Sequence, residues 1–245
     1  EEFLKIWDIV DTFYKTFGFS LRVRLSFRDL TAPEKYLGTP AIWDKAESEL
    51  REIATERGAN FFEGPGEAAL YGPKLDFMAA NASGKEWQVA TIQLDMNIPE
   101  RFDLTCMNEK GEKERIVMIH SAITGSLERC AAVLIEHYGG AFPTWLSPVQ
   151  ARVLPIGEAH QAFAQETAAQ LKAAGIRVEL DQSNESLGKK IREAKGQKIP
   201  YLLVIGDAEV SAGSASLESR DKGKVGVLPV ADIISKLQEE IKARS

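Results

Sequence analysis

Cysteine and histidine are scarce in this 245-residue chain, with two of the first and three of the second. Cys106 and Cys130 form no CxxC pair and too few residues for a disulfide framework, which excludes a stapled secreted scaffold and a thiolate metal knuckle. The same scarcity favours a reducing, cytoplasmic setting. No apolar run reaches membrane-spanning length, so no membrane partner is expected. Internal repeats and low-complexity tracts are lacking too. So is an initial Met: the chain opens EEFLKIWDIV, already inside an amphipathic pattern, and the expectation is a piece of a longer protein.

What is present reads as a globular protein, 44% apolar and 27% charged, with room for one large domain or two ordinary ones. The net charge of −6 is uneven, with −7 on residues 1–148 and +1 on residues 149–245. Five positive charges fall in KKIREAKGQK (189–198). A basic patch on a near-neutral domain is compatible with a phosphate backbone, although a solvated helix face is the plainer reading of such a run.

Periodicity predicts a helix over 3–17 through Phe3, Trp7, Val10, Tyr14 and Phe17. SLRVRLSF (20–27) alternates, with Leu21, Val23, Leu25 and Phe27 set against Ser20, Arg22, Arg24 and Ser26, as a half-buried strand does. A polar loop (28–40) leads to a helix over 41–57 that Gly58 ends. KLDFMAA (74–80) and EWQVATIQLDMNIP (86–99) flank Asn-Ala-Ser-Gly-Lys as a hairpin, and FDLTCM and RIVMIH flank NEKGEKE as a second. This antiparallel meander argues against a doubly wound domain. A helix over 126–138 follows, with Leu127, Ala131, Leu134 and Tyr138 on one face. FPTWLSP (142–148) breaks the pattern. Beyond it RVLPIG, a helix (159–174), IRVEL, a helix (186–196), YLLVIG, a short strand near 214–219 and a helix (230–243) predict a small α/β domain with a mostly parallel sheet.

Four clusters could carry chemistry. GPGEAALYGPK (64–74) is a Gly/Pro-rich segment holding Glu67, Tyr71 and Lys74, of the kind that positions side chains or merely connects. EWQVATIQLD (86–95) sets Gln88, Thr91, Gln93 and Asp95 on an interior strand, where polar groups need partners. A strict pleat puts Thr91, Gln93 and Asp95 on one face and Gln88 on the other, so a common pocket requires a bulge between 88 and 91. GSLER (125–129) puts Ser126 at a helix start and Arg129 one turn on, suited to an anion or simply to capping. His120 ends a strand without paired ligands nearby. Zinc needs three or four donors, so a hydrogen-bonded structural histidine is the plainer reading.

In this order EAALYGPKLDF, EWQVATIQLDMNIPERFDL, VMIHSAITGSLER and IEHYGGAFPTWLSPVQ resemble threonyl-tRNA synthetases, which are class II aminoacyl-tRNA synthetases, and the resemblance runs over the whole chain. It implies an antiparallel-sheet α+β class II catalytic domain, present in part over 1–145, and a small α/β anticodon-binding domain over 146–245. It implies a threonine–tRNA ligase using ATP with Mg2+, tRNA-Thr, a zinc ion that grips threonine, and a homodimer in the parent enzyme. Arg129 matches an arginine that packs against ATP, with Ser126 beside the nucleotide. Gln88 and Thr91 match nucleotide contacts, Gln93 lies beside the amino acid, and Tyr71 and Lys74 line the threonine and adenylate pocket. Lys74 and Arg129 are thereby the expected catalytic residues. His120 matches one of three protein zinc ligands. Asn184 and Arg192 match positions near the anticodon.

The departures bear on activity. The family's other two zinc ligands and its motifs 1 and 2 have no counterpart here. Ser121 stands where Arg is usual, Leu70 where Phe is common, and Glu218 where an anticodon-reading Arg would be expected. The expectation is therefore a chain that alone neither activates threonine nor retains stoichiometric zinc. A non-catalytic relative that binds tRNA or a partner is the alternative, and a decayed copy a third reading.

Overall fold

In the computed structural model, which describes residues 1–80 and 84–244, the chain divides into two units, Glu1–His137 and Tyr138–Ser245. The first runs α1 (Glu2–Thr16), β1 (Leu21–Phe27), a 3-10 turn (Pro33–Lys35), α2 (Pro40–Glu56), β2 (Phe61–Pro65), β3 (Lys74–Ala80), β4 (Glu86–Asp95), α3 (Ile98–Arg101), β5 (Thr105–Met107), β6 (Lys113–Arg115), β7 (Met118–Ala122) and α4 (Leu127–Tyr138). Its main sheet has the order β2-β1-β3-β4-β7, antiparallel throughout except for β1 with β2.

Register sorts this sheet into two faces, because directly paired residues point the same way. Leu25, Leu75 and Ile92 form one row, and Val23, Phe77 and Ala90 the next. All are buried, and each fully buried large side chain contributes about 1.5–3 kcal/mol of transfer free energy. Phe3, Trp7, Val10 and Tyr14 of α1 are buried as their spacing predicts, and Trp7 meets Phe77 edge-on at 5.3 Å. The alternate rows are polar: Ser26, Lys74, Gln93 and His120, then Arg24, Asp76, Thr91 and Ala122. Ser26 is fully buried, so β1 is not the half-solvated strand its alternation suggests.

Phe77 pairs with Ala90 but Met78 pairs with Gln88, which leaves Val89 as an extra residue on β4. This is the bulge that a common face for Gln88 and Thr91 requires. The first expected hairpin joins β3 to β4, but residues 81–83 of its turn lie outside the described residues. The second differs from expectation. Only Thr105–Met107 and Lys113–Arg115 pair there, as a separate exposed ribbon, while Met118–Ala122 joins the main sheet beside β4. The apolar face expected on α4 is not core either. Val133 is the buried residue of that helix, and Leu127 is 76% exposed.

The second unit runs β8 (Ala151–Pro155), a 3-10 turn (Glu158–His160), α5 (Gln161–Ala173), β9 (Val178–Leu180), α6 (Leu187–Gly196), β10 (Tyr201–Ile205), α7 (Asp207–Ala212), β11 (Ser214–Ser219), β12 (Gly223–Pro229) and α8 (Val230–Ala243). The sheet order is β12-β11-β10-β8-β9. The β10–β8 and β8–β9 pairs are parallel, but β10–β11 and β11–β12 are antiparallel, so the sheet is mixed rather than mostly parallel. The cause is connection length. A parallel crossover takes a dozen or more residues, and the segments after β10 and β11 are shorter. Leu171, Leu203, Ile205, Leu217, Ile233 and Leu237 fill one side of this sheet, and Leu154, Ala194, Ile199 and Leu202 the other.

Gly72 sets the turn before β3 against β4. A Cβ there would lie 1.7 Å from the Leu94 carbonyl oxygen, so no other residue fits without backbone movement. Gly72→Ala is expected to destabilise the protein by about 3 kcal/mol, seen as a lower urea midpoint. An unchanged midpoint would show that this approach does not hold the turn.

Candidate active site

The polar face of the first sheet is organised by two carboxylates with no exposed surface, Asp76 and Asp95. Asp76 Oδ2 accepts from Lys74 Nζ at 2.6 Å, Ser26 Oγ at 2.7 Å and Arg24 Nη2 at 2.9 Å. Its Oδ1 accepts from Gln88 Nε2 at 2.8 Å. The Gln88 side-chain oxygen in turn accepts from Arg24 at 3.1 Å, and Arg24 pairs at 3.2 Å with Glu67. Burial works against the charged carboxylate, but the hydrogen bonds from Lys74, Ser26 and Arg24 outweigh it and hold the Asp76 carboxyl below its ordinary range.

Asp95 Oδ1 accepts the backbone N–H groups of Asn97 and Ile98 at 3.0 and 2.9 Å, where the chain turns into α3. Its Oδ2 lies 2.8 Å from His120 Nε2. The His120 ring is 5.4 Å from that of Tyr71, whose hydroxyl donates to Gln93 Oε1 at 2.5 Å. Asn97 Nδ2 donates to the Tyr71 carbonyl at 2.7 Å, so the Tyr71 turn and the end of β4 are tied together. Burial, and then the nearby Asp95, push the Tyr71 hydroxyl above its ordinary pKa. On the same face the Thr91 hydroxyl is buried and has no hydrogen-bond partner among the described residues.

At the start of α4, Ser126 Oγ accepts the Arg129 backbone N–H at 3.1 Å, an N-cap bond. The Arg129 guanidinium is exposed and makes a long 3.4 Å contact to the Gln88 carbonyl, beside the bulge. The sheet thus gathers Tyr71, Lys74, Gln88, Thr91, Gln93 and His120 on one face, with Arg129 joined to it through Gln88. Sequence reasoning missed Arg24, Ser26 and Asp76. The available signal was Lys74-Leu75-Asp76, two charges sharing one face of an otherwise apolar strand.

The donor set does not complete a metal centre. Among the described residues no group of three or more His, Cys, Asp or Glu could hold an ion. His120 supplies one nitrogen where zinc takes four ligands, and Asp95 is already committed to internal donors.

In the second unit Asn184 lines a cavity of about 280 Å³ with Gly157, Glu158, Gln161, Gln182 and Lys190. The basic run beside it is far from uniform. Lys190 is 2% exposed and donates to the Pro155 carbonyl at 3.1 Å. Lys189 pairs with Glu185 at 2.7 Å and Lys195 with Glu218 at 2.6 Å, while Lys198 bonds the Gly139 carbonyl. Arg192 is exposed and makes no ion pair among the described residues. Glu218 therefore stands as the partner of a lysine rather than as an isolated reversed charge.

Two family models cover these two units. Residues 1–138 match the tRNA synthetase class II core domain (G, H, P, S and T), and residues 150–240 match an anticodon binding domain. The chain belongs to the class II tRNA synthetases. It is 46% identical over 244 residues to the threonine–tRNA ligase of Carboxydothermus hydrogenoformans, covering 100% of this chain and 38% of that ligase. It is 44% identical over 242 residues to that of Synechocystis, covering 98% of this chain and 40% of the ligase. The solved RNA binding domain of threonyl-tRNA synthetase from Cryptosporidium parvum superposes with a TM-score of 0.89 at 36% identity, over 98% of this chain and 60% of that one. Within that class the chain is similar to threonine–tRNA ligases, and it spans well under half the length of these two. Among the described residues no helix is long and apolar enough to cross a membrane.

Asp76 makes the candidate site testable without substrate. Removing it strands two largely buried cations, and breaking a buried pair in this way costs about 3–5 kcal/mol. Asp76→Ala is expected to lose about that much near neutral pH. Because the folded-state carboxyl titrates below its ordinary 3.8, its contribution is complete above that value and fades as pH falls through the lower folded one. The gap between Asp76→Ala and wild type in urea melts should therefore narrow only below that range. A gap independent of pH would contradict the role of the charge.

Proposed function

We propose that this chain serves a threonine–tRNA ligase, in which ATP activates threonine to the adenylate and the threonyl group passes to tRNA-Thr. One observation carries the proposal. In a chain similar along its whole length to such ligases, the residues that this reading gives to the amino acid (Tyr71, Gln93, His120) and to ATP (Lys74, Gln88) gather on one sheet face, with Arg129 of α4 touching the Gln88 carbonyl.

On this reading Lys74 and Arg129 meet negative charge on ATP. The capped start of α4 at Ser126 adds backbone dipoles, and fixed donors of this kind stabilise charge that grows in a transition state. Thr91, with its unspent hydroxyl, and Gln88 line the nucleotide. Mg2+ arrives with ATP, since the two buried carboxylates are fully engaged. Tyr71 and Gln93 orient the amino acid. His120 is one ligand of a zinc ion whose other ligands belong to a longer polypeptide, so the 245 residues alone hold no stoichiometric zinc. Residues 1–145 serve activation and residues 146–245 the anticodon, through Asn184 and Arg192. The parent is a cytoplasmic homodimer.

Threonine-dependent ATP–pyrophosphate exchange tests the proposal. The whole product of the gene is expected to exchange with threonine and not with valine, because a site built around a hydroxyl leaves polar groups unpaired against its isostere. The 245-residue chain alone is expected to show none. Equal exchange with valine, or full exchange by the short chain, would overturn it.

Binding of tRNA tests the second unit. Arg192→Ala should weaken tRNA binding and flatten the slope of log affinity against log salt by about 0.7–0.9, the signature of one lost phosphate contact. An unchanged slope would remove Arg192 from the interface.

A further inference from the structure

The contacts of Asp95 dictate which nitrogen of His120 carries its proton. Asp95 Oδ1 is fixed by two backbone donors, Asn97 N at 3.0 Å and Ile98 N at 2.9 Å, and cannot turn away without orphaning both. Oδ2 is then left facing His120 Nε2 at 2.8 Å, in a residue with no exposed surface where water cannot substitute. A carboxylate offers only acceptors, so the hydrogen in that bond belongs to the ring.

We propose that Asp95 is the positioning residue that holds His120 as its Nε2–H tautomer and leaves Nδ1 as the ring's one electron-pair donor toward a ligand. A second partner on a histidine commonly fixes tautomer and orientation in this way. The neighbours of the ring reinforce it. Tyr71 packs at 5.4 Å with its hydroxyl committed to Gln93, and Gln93 is the direct cross-strand partner of His120. Neither offers a competing partner for Nε2. The purpose given to Nδ1, an electron pair for an electron-poor ligand such as a metal ion, rests on the ligase reading. The tautomer itself rests only on contacts within the chain.

The test is a long-range proton–nitrogen NMR spectrum of the 15N-labelled chain at about pH 8.5, well above the ordinary imidazole pKa of about 6.5. With three histidines in the sequence, His120→Gln identifies the signals. The expected pattern is a protonated Nε2 and an unprotonated Nδ1. Asp95→Asn should invert it. The amide oxygen must stay with the two backbone donors, so its NH2 faces the ring, Nε2 becomes an acceptor, and the proton moves to Nδ1.

An Nδ1–H wild type, or a rapid average of both forms, overturns the proposal. So does an Asp95→Asn variant that keeps the wild-type backbone amide spectrum and the Nε2–H form. Should that variant fail to fold, the wild-type spectrum still decides. No threonine, ATP or tRNA enters the experiment, so a failed exchange assay overturns the ligase reading alone, and a wrong tautomer overturns this proposal alone.

Discussion

A carboxylate sealed inside a sheet must be given hydrogens by its neighbours, and Asp76 receives them from β1, β3 and β4 at once. The rest of the polar face follows from that requirement. Arg24 and Lys74 would repel each other if brought together alone, whereas a shared anion lets both stand with little exposure. Ser26 is buried because its hydroxyl has somewhere to donate. Gln88 is oriented with its NH2 toward Asp76 and its oxygen toward Arg24, so the amide is read from both ends. A fully satisfied polar network of this kind specifies one arrangement, where a partly satisfied one would only cost stability.

Much of the frame was legible in the sequence. Long apolar periods survive any choice of tertiary partner, so α1, α2 and the strands at 74–80 and 86–95 follow from spacing alone. The need for a bulge could be argued because Gln88 and Thr91 are three apart, and a period of two cannot put them on one face. The failures share a cause, since pairing is decided between segments rather than within them. RIVMIH reads as the second arm of a local hairpin, yet β4 offers its last strand a longer antiparallel edge. The small domain reads as parallel because strands and helices alternate, but α7 is too short to carry the chain back across the sheet. Arg24 and Ser26 look like a solvated face until β3 brings Asp76 beside them.

The basic run of the second unit illustrates a limit of counting charge. Five cations in ten residues predict a patch, yet Lys190 turns inward and Lys189, Lys195 and Lys198 find partners. The exposed ion pairs of Lys189 and Lys195 are weak, about 0–1 kcal/mol, so a polyanion can still compete for these two lysines. Lys190 is different. Burial fixes it as an internal tie between the end of β8 and the Asn184 loop, through Pro155 and more distantly Asp181. Its charge contributes to the shape of that loop and little to long-range attraction.

The two faces of the first sheet share the same strands, and this couples folding to chemistry. A one-residue slip of β3 on β4 would carry Leu75 and Phe77 to the polar side and bury Lys74 among aliphatics. The apolar rows therefore protect the polar register as much as they supply stability. Among the described residues of this sheet the Val89 bulge is the one break in the alternation, and it lies where Gln88 must join Thr91. Arg129 touches the carbonyl of that same Gln88, so the start of α4 reaches the sheet where its backbone departs from the regular ladder. That contact links a capped helix start to a face built around buried carboxylates.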